Sequence, residues 1–246
     1  MPGDADPPGA RLLDVVKIID TLVSPGGDPW KREQTHASLA RYLLEEAYEA
    51  YDAIEADDLD ALREELGDVL LQVILHARMA QEADPPWSID DVAAGLAEKM
   101  VRRNPHVFAG VEVADVEEIT ANWERIKREE KAGRSVLDGV ALSQPALSLA
   151  AKILSRARKA GIDVPVGPSA GDGGATVPSA GDGGATVPSA GDGGFATEEE
   201  LGELLFAIVA DASARGLDPE AALRRVALQR ARAVRSAEKA SADPIS

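Results

Sequence analysis

Five carboxylates dominate the chemistry this chain can offer. Glu45, Glu46 and Glu49 fall within one helical turn, and Glu65 and Asp68 fall within another. On a helix, spacings of one, three and four residues place side chains on or beside a common face. Each group is therefore a patch of oxygen donors, and two such patches on neighbouring helices repel unless a cation lies between them. Hard divalent ions such as Mg²⁺ take oxygen ligands and bridge to substrate phosphates. Metal-dependent phosphate chemistry is the reading to beat. A solvated acidic face is its rival, but Leu43, Leu44, Ala47 and Ala50 flank the first group and Leu66, Val69, Leu70 and Val73 the second. Those neighbours place several carboxylates near a buried seam, where unpaired charge is costly. A di-iron bundle needs Glu-x-x-His on two helices. The residues three after Glu46 and Glu65 are Glu49 and Asp68, an all-carboxylate set suited to Mg²⁺, with Mn²⁺ as substitute.

Phosphate chemistry also needs fixed positive charge. Lys99 and Arg103 are four apart in EKMVRRNPHVF and share a face, and Lys127 and Arg128 lie in NWERIKREEK. The simpler role for cations ending a helix is to complement its dipole. Trp30, in a polar segment, is a candidate for stacking on a base, whereas Trp123 on an amphipathic helix reads as core. His36, His76 and His106 are far apart and form no zinc spacing. No GxxxxGK[ST] loop, GxSxG elbow or cysteine nucleophile occurs.

Helices must position these groups. Apolar periodicity predicts one over residues 12–23, stopping at Ser24-Pro25-Gly26-Gly27. A polar loop is expected from Asp28 to Thr35, then helices over about 36–56 and 59–82 joined by the short turn at Asp57-Asp58, hence antiparallel. Ser88, with Asp91 three residues on, caps a helix to about Arg103 that Pro105 ends. Further helices are expected over 115–131, 144–160, 197–215 (Thr197 as cap, Glu200 as its capping-box partner) and 219–239. No period-two alternation appears, so the fold expected is an all-α antiparallel bundle.

The domain reading is a disordered start (1–10), a catalytic helical domain (11–140), a connecting helix (141–167), helices of a second module (197–240) and a tail (241–246). Residues 168–196 hold the decapeptides PSAGDGGATV, PSAGDGGATV and PSAGDGGFAT, the last completed by Thr197. They offer too little apolar surface to offset ordering entropy and read as a disordered linker. The composition, 45% hydrophobic but only 4% aromatic, calls for a core of Ala, Leu, Val and Ile. A net charge of −17 argues against a nucleic-acid polymer as partner, though not against a single nucleotide. With no cysteine, no run of about eighteen apolar residues and no leader-like start, a soluble cytoplasmic protein without membrane contact is expected.

These residues resemble the MazG family of all-α nucleoside triphosphate pyrophosphohydrolases, whose motif is EExxE followed by ExxD. Glu45-Glu46-x-x-Glu49 and Glu65-x-x-Asp68 match it, and DPWKREQTHASLARYLLEEAYE, EELGDVLLQVILHA, RRNPHVF and SVLDGVALSQPAL all resemble family sequence, over about residues 11–163. The resemblance implies hydrolysis of NTPs or dNTPs, non-canonical or oxidised ones included, to monophosphate and pyrophosphate. It also implies Mg²⁺ among Glu45, Glu46, Glu49, Glu65 and Asp68, a homodimer or tetramer, and a role in cleansing the nucleotide pool. Glu46, which points differently from Glu45, is the expected general base; Lys99, Arg103, Lys127 and Trp30 are the expected substrate contacts. Asp28, Lys31 and Asn104 depart from the family's usual Cys, Asp and His. The C-terminal part resembles the start and end of a second module of the same kind. There Glu203 replaces the Asp of ExxD, Ala227 and Gln229 replace polar Asn and Lys, and the repeats occupy the place of EExxE. That module is expected to be catalytically dead and to serve packing or dimerisation. The alternative class is a non-catalytic nucleotide- or alarmone-binding regulator.

Overall fold

Side-chain caps set the ends of the helices that the apolar spacing calls for. The computed structural model describes residues 7–130, 133–166 and 197–242. They divide into two compact units at Glu130. The first holds α1 (Ala10–Val23), α2 (Pro29–Arg32), α3 (His36–Glu55), α4 (Leu59–Ala80), α5 (Ile89–Arg103), α6 (Pro105–Phe108) and α7 (Val116–Glu129). The second holds α8 (Ala146–Lys159), α9 (Glu198–Ala214) and α10 (Pro219–Ala242). No strand occurs among the described residues, so the all-α expectation is borne out. The decapeptide repeats, expected to be disordered, lie outside the described residues except for Thr197, as do residues 1–6 and 243–246 of the expected termini.

Two short helices correct the sequence reading. The segment expected as a loop from Asp28 contains α2, because the Asp28 carboxylate accepts from Lys31 N at 3.1 Å and Pro29 supplies a helix-ready φ. Pro105, expected only as a stop, also opens α6 at its first position. Gly27 makes the approach to α2 possible: a Cβ there would stand 2.3 Å from Leu22 O. Without one, Asp28 N donates to that carbonyl at 2.7 Å.

The cap at Ser88 is a full capping box with Asp91, and Thr35 forms another with Ser38 at the start of α3. Thr197 Oγ1 accepts from Glu200 N, ahead of α9.

The element that matters most is the hairpin of α3 and α4. Asp57 turns the chain with a left-handed φ of 55°, which Asp tolerates better than most residues, and Asp58 caps α4 by accepting from Ala61 N. Residues equally far from Asp57 in sequence therefore lie level across the seam. Leu39 and Leu75, each eighteen residues from it, are both buried, and with Ile74 and Ile19 of α1 they form the core of this unit. Arg78 of α4 ties α1 down through Asp20 at 2.6 Å. α5 packs on α4, and α7 on α5.

In the second unit α8, expected as a connecting helix, packs with α9 and α10, and Leu154, Ala157 and Val209 are buried there.

Candidate metal centre

The hairpin register brings the two acidic groups together. Glu49 and Glu65 each lie eight residues from Asp57, and Glu46 and Asp68 each lie eleven, so the pairs face one another about 12 Å and 16 Å from the turn. Glu46, Glu49 and Glu65 can each offer a carboxylate oxygen within 4.8 Å of the other two. Among the described residues this is the group of acidic or histidine side chains close enough to share an ion. Partial burial and then the charges of Asp68 and Glu49 hold the Glu46 carboxyl above its ordinary range. Burial and the charges of Glu49 and Asp68 raise Glu65, whose carboxyl also shares a hydrogen bond with Glu49. Glu45 is exposed and adds to the field on Glu46 from outside the tightest three. The donor set fits a hard divalent cation: all oxygen, all anionic, and strained by mutual repulsion.

Two arginines at the end of α5 share one carboxylate. Arg103 donates from Nη2 to Glu130 at 2.6 Å, and Arg102 donates to the same carboxylate at 2.8 Å. These two hydrogen bonds hold Glu130 at a pKa of about 2. The Arg103 guanidinium also lies over Trp123, 5.4 Å from the ring centroid. Trp123 is thus not core: no described residue of α7 is buried, and its indole forms a platform for Arg103. Lys99, one turn before Arg103, is half-buried on α5, and Lys127 is half-buried one turn after Trp123 on α7. Trp30 is half exposed on α2, edge-on to Tyr42 at 6.2 Å, with the Lys31 ammonium 5.5 Å from its centroid.

Sequence reasoning passed over three features. Glu130 is the acidic anchor for both arginines; it lies 27 residues from Arg103, and no spacing rule reports a contact between two helices. Tyr42 supports Trp30. His36 and His76, judged too distant to act together, meet with Nδ1 atoms 2.7 Å apart and rings stacked at 5.0 Å, with Trp87 beside His36 at 6.4 Å. Their near-equal distances from Asp57 were the available signal.

Known proteins match the same region. Residues 34–108, which contain the whole carboxylate set, match the MazG nucleotide pyrophosphohydrolase domain. The nucleoside triphosphate pyrophosphohydrolase of Escherichia coli (strain K12) is 40% identical over 220 residues, covering 87% of this chain and 81% of that protein. The chain belongs to the MazG family of nucleotide pyrophosphohydrolases. The enzyme of the same name from Mycobacterium tuberculosis is 52% identical over 155 residues, and there the chain spans about half of its relative's length, 47%. The uncharacterized 26.1 kDa protein of the blaB 3' region of Streptomyces cacaoi is 45% identical over 240 residues, 97% of this chain and 87% of that one.

Proposed function

We propose that this chain hydrolyses nucleoside triphosphates, ribo- or deoxyribo-, to the monophosphate and pyrophosphate, with Mg²⁺ held by Glu46, Glu49 and Glu65 and by the adjoining Glu45 and Asp68. The observation that carries this reading is the approach of three carboxylates within 4.8 Å across the α3–α4 seam. A bound Mg²⁺ would offset charge on the phosphoryl oxygens and make water a better nucleophile.

The chain's own residues then have distinct tasks. Glu46, which points differently from Glu45, accepts the proton of the attacking water. The water oxygen bonds to the α-phosphorus, the α–β bridging bond breaks, and pyrophosphate leaves with the bond's electrons. Lys99, Arg103 and Lys127 bind the phosphates. Arg103 arrives pre-positioned by Trp123 and Glu130, and a phosphate competes with Glu130 for the guanidinium fork. Trp30, braced by Tyr42, stacks on the base.

The functional particle is a homo-oligomer. Leu43, Leu44 and Tyr48 of α3 and Leu66 of α4 are exposed beside the carboxylates, an apolar surface that a second copy would cover. The second unit serves packing rather than turnover: Glu203 stands where the ExxD motif has Asp, and Ala227 and Gln229 stand where Asn and Lys are expected.

Product analysis with purified protein, dGTP and Mg²⁺ tests the reading. Monophosphate plus pyrophosphate, abolished by Glu49→Gln, is the expected result. Release of orthophosphate, or nucleotide binding without turnover across common and oxidised nucleotides, refutes it; the latter outcome favours the regulatory alternative.

A further inference from the structure

Positive charge gathers on one helix of this acidic chain. α8 carries Lys152, Arg156, Arg158 and Lys159 and no acidic residue, in a protein of net charge −17. Cations in the last turn of a helix complement its dipole, which accounts for Arg156, Arg158 and Lys159. Lys152 lies two turns before Lys159, beyond the reach of that effect. Other arginines of the unit are paired, Arg215 with Asp211 and Arg224 with Glu220. Lys152 and Arg158 are exposed and make no ion pair among the described residues.

Both of these cations border a cleft. Lys152 and Arg158 line a cavity of about 470 Å³ between α8 and the turn that joins α9 to α10. Ser148, Ser155 and Ser213 line it as well, and all three are half-buried. Helical spacing explains the lining: Ser148, Lys152 and Ser155 are four and three apart and share a face of α8, while Leu154 and Ala157 are buried in the unit. Gly216, with a left-handed φ of 72°, turns the chain at the other wall. Asp218 is the acidic residue of this lining, and its carboxylate is engaged, Oδ1 accepting from Ala221 N at 3.0 Å ahead of α10. Arg158 also lines a second, largely apolar hollow of about 210 Å³ with Leu154, Ile162, Asp163 and Val164. That arginine thus joins a polar cleft to an apolar one.

We propose that the second unit binds a phosphomonoester of nucleotide size, its phosphate on Lys152, Arg158 and the serine hydroxyls and its uncharged body in the hollow beyond Arg158. A phosphate takes charge-assisted hydrogen bonds from Arg and Lys and accepts further ones from hydroxyls. The larger cavity has the size of a small-molecule site, about 300–1,000 Å³. A bare anion would use the polar cleft alone, whereas Leu154, Ile162 and Val164 suit an apolar or planar body. Asp163 beside them can accept from sugar hydroxyls, as carboxylates do in nucleotide sites. A nucleic-acid polymer is disfavoured by the charge of the chain as a whole. The site shares no residue with the carboxylate group of α3 and α4, and it does not depend on the hydrolase reading.

Calorimetry with AMP on the full-length chain, in EDTA so that no divalent ion enters, tests the proposal. Lys99→Gln with Arg103→Gln forms the background and removes the phosphate contacts proposed for the first unit. AMP should bind that chain at one site, and adding Lys152→Gln with Arg158→Gln should weaken binding by about tenfold or more. Inorganic phosphate should bind about tenfold more weakly than AMP, since it leaves the apolar hollow empty. Circular dichroism checks that helicity is kept. If the fourfold variant loses it, Ser213→Glu, which keeps both cations and sets an acid beside them, replaces the second pair and should weaken AMP likewise. No AMP binding to the background chain, or binding that survives these changes with helicity kept, overturns the proposal. Phosphate binding as tightly as AMP overturns the place given to the hollow. Turnover is not read, so failure here leaves the hydrolase reading standing.

Discussion

Replacing Glu49 with Gln separates a metal site from an ordinary acidic surface. Glu49 can bring an oxygen within 4.8 Å of both Glu46 and Glu65, so the substitution keeps volume while removing one charge from a cluster of like charges. Without metal the variant should melt at or slightly above the parent temperature, because repulsion falls. With Mg²⁺ the order should reverse. An inner-sphere carboxylate is worth at least the roughly 100-fold in affinity that outer-sphere partners contribute. At a Mg²⁺ concentration a hundred times the parent's Kd, binding stabilises the folded parent by about 2.7 kcal/mol. A unit ending at Glu130 loses about 0.27 kcal/mol of stability per degree near its midpoint, so the shift is about 10 °C. For the variant the same concentration only equals its Kd, and the gain is about 0.4 kcal/mol, or between about 1 and 2 °C. Thermal melts across a Mg²⁺ titration, read by circular dichroism beside pyrophosphate release, make the measurement. A parent with no Mg²⁺-linked rise, or a variant with the full rise, would refute the metal assignment. A variant that melts well below the parent without metal would show that Glu49 is structural.

Other perturbations test the scaffold around the site. Leu39→Ala empties a fully buried position in the α3–α4 core and should cost about 3 kcal/mol, lowering the melting temperature by about 10 °C while Mg²⁺ still raises it. Glu130→Gln removes the carboxylate that holds Arg102 and Arg103; steady-state kinetics should show a raised KM for nucleotide, and an unchanged KM and kcat would count against the positioning role. In the parent that carboxylate, with its pKa lowered to about 2, stabilises the fold above the ordinary glutamate range and loses that contribution as pH falls toward 2. Burial and the neighbouring His36 lower the pKa of His76, so the folded state resists its protonation and stability should fall as pH drops through and below about 6.5. Melts at pH 7.5 and 5.5 should show a smaller decline in His76→Gln than in the parent. Gln72 is 5% exposed and its Oε1 has no hydrogen-bond partner among the described residues; Gln72→Leu should therefore raise the melting temperature by a few degrees, for about 1 kcal/mol.

Much of this was legible in one dimension. Residues of a single helix keep fixed relations, so the acidic groups, the Lys99–Arg103 spacing, the capping box at Ser88 and the eight longer helices could all be read from periodicity and cap residues. The short Asp57-Asp58 turn announced an antiparallel hairpin. α2 and α6 escaped because a single turn of helix has no period to detect, although Asp28-Pro29 and Asn104-Pro105 hold a start signal each.

Relations between helices belonged to the tertiary structure. Pairing about Asp57 selected Glu46, Glu49 and Glu65 from five candidates as the tightest three, and it joined His36 to His76 across forty residues. Packing of α5 with α7 turned Trp123 from an expected core residue into the platform under Arg103, and gave that arginine to Glu130. The sequence by itself determined which side chains could bind metal and phosphate, because that depends on residue type and on the 3.6-residue period. Which of them meet was decided by the angle and register at which helices bury their apolar faces, a property of the whole packed unit that no local spacing contains.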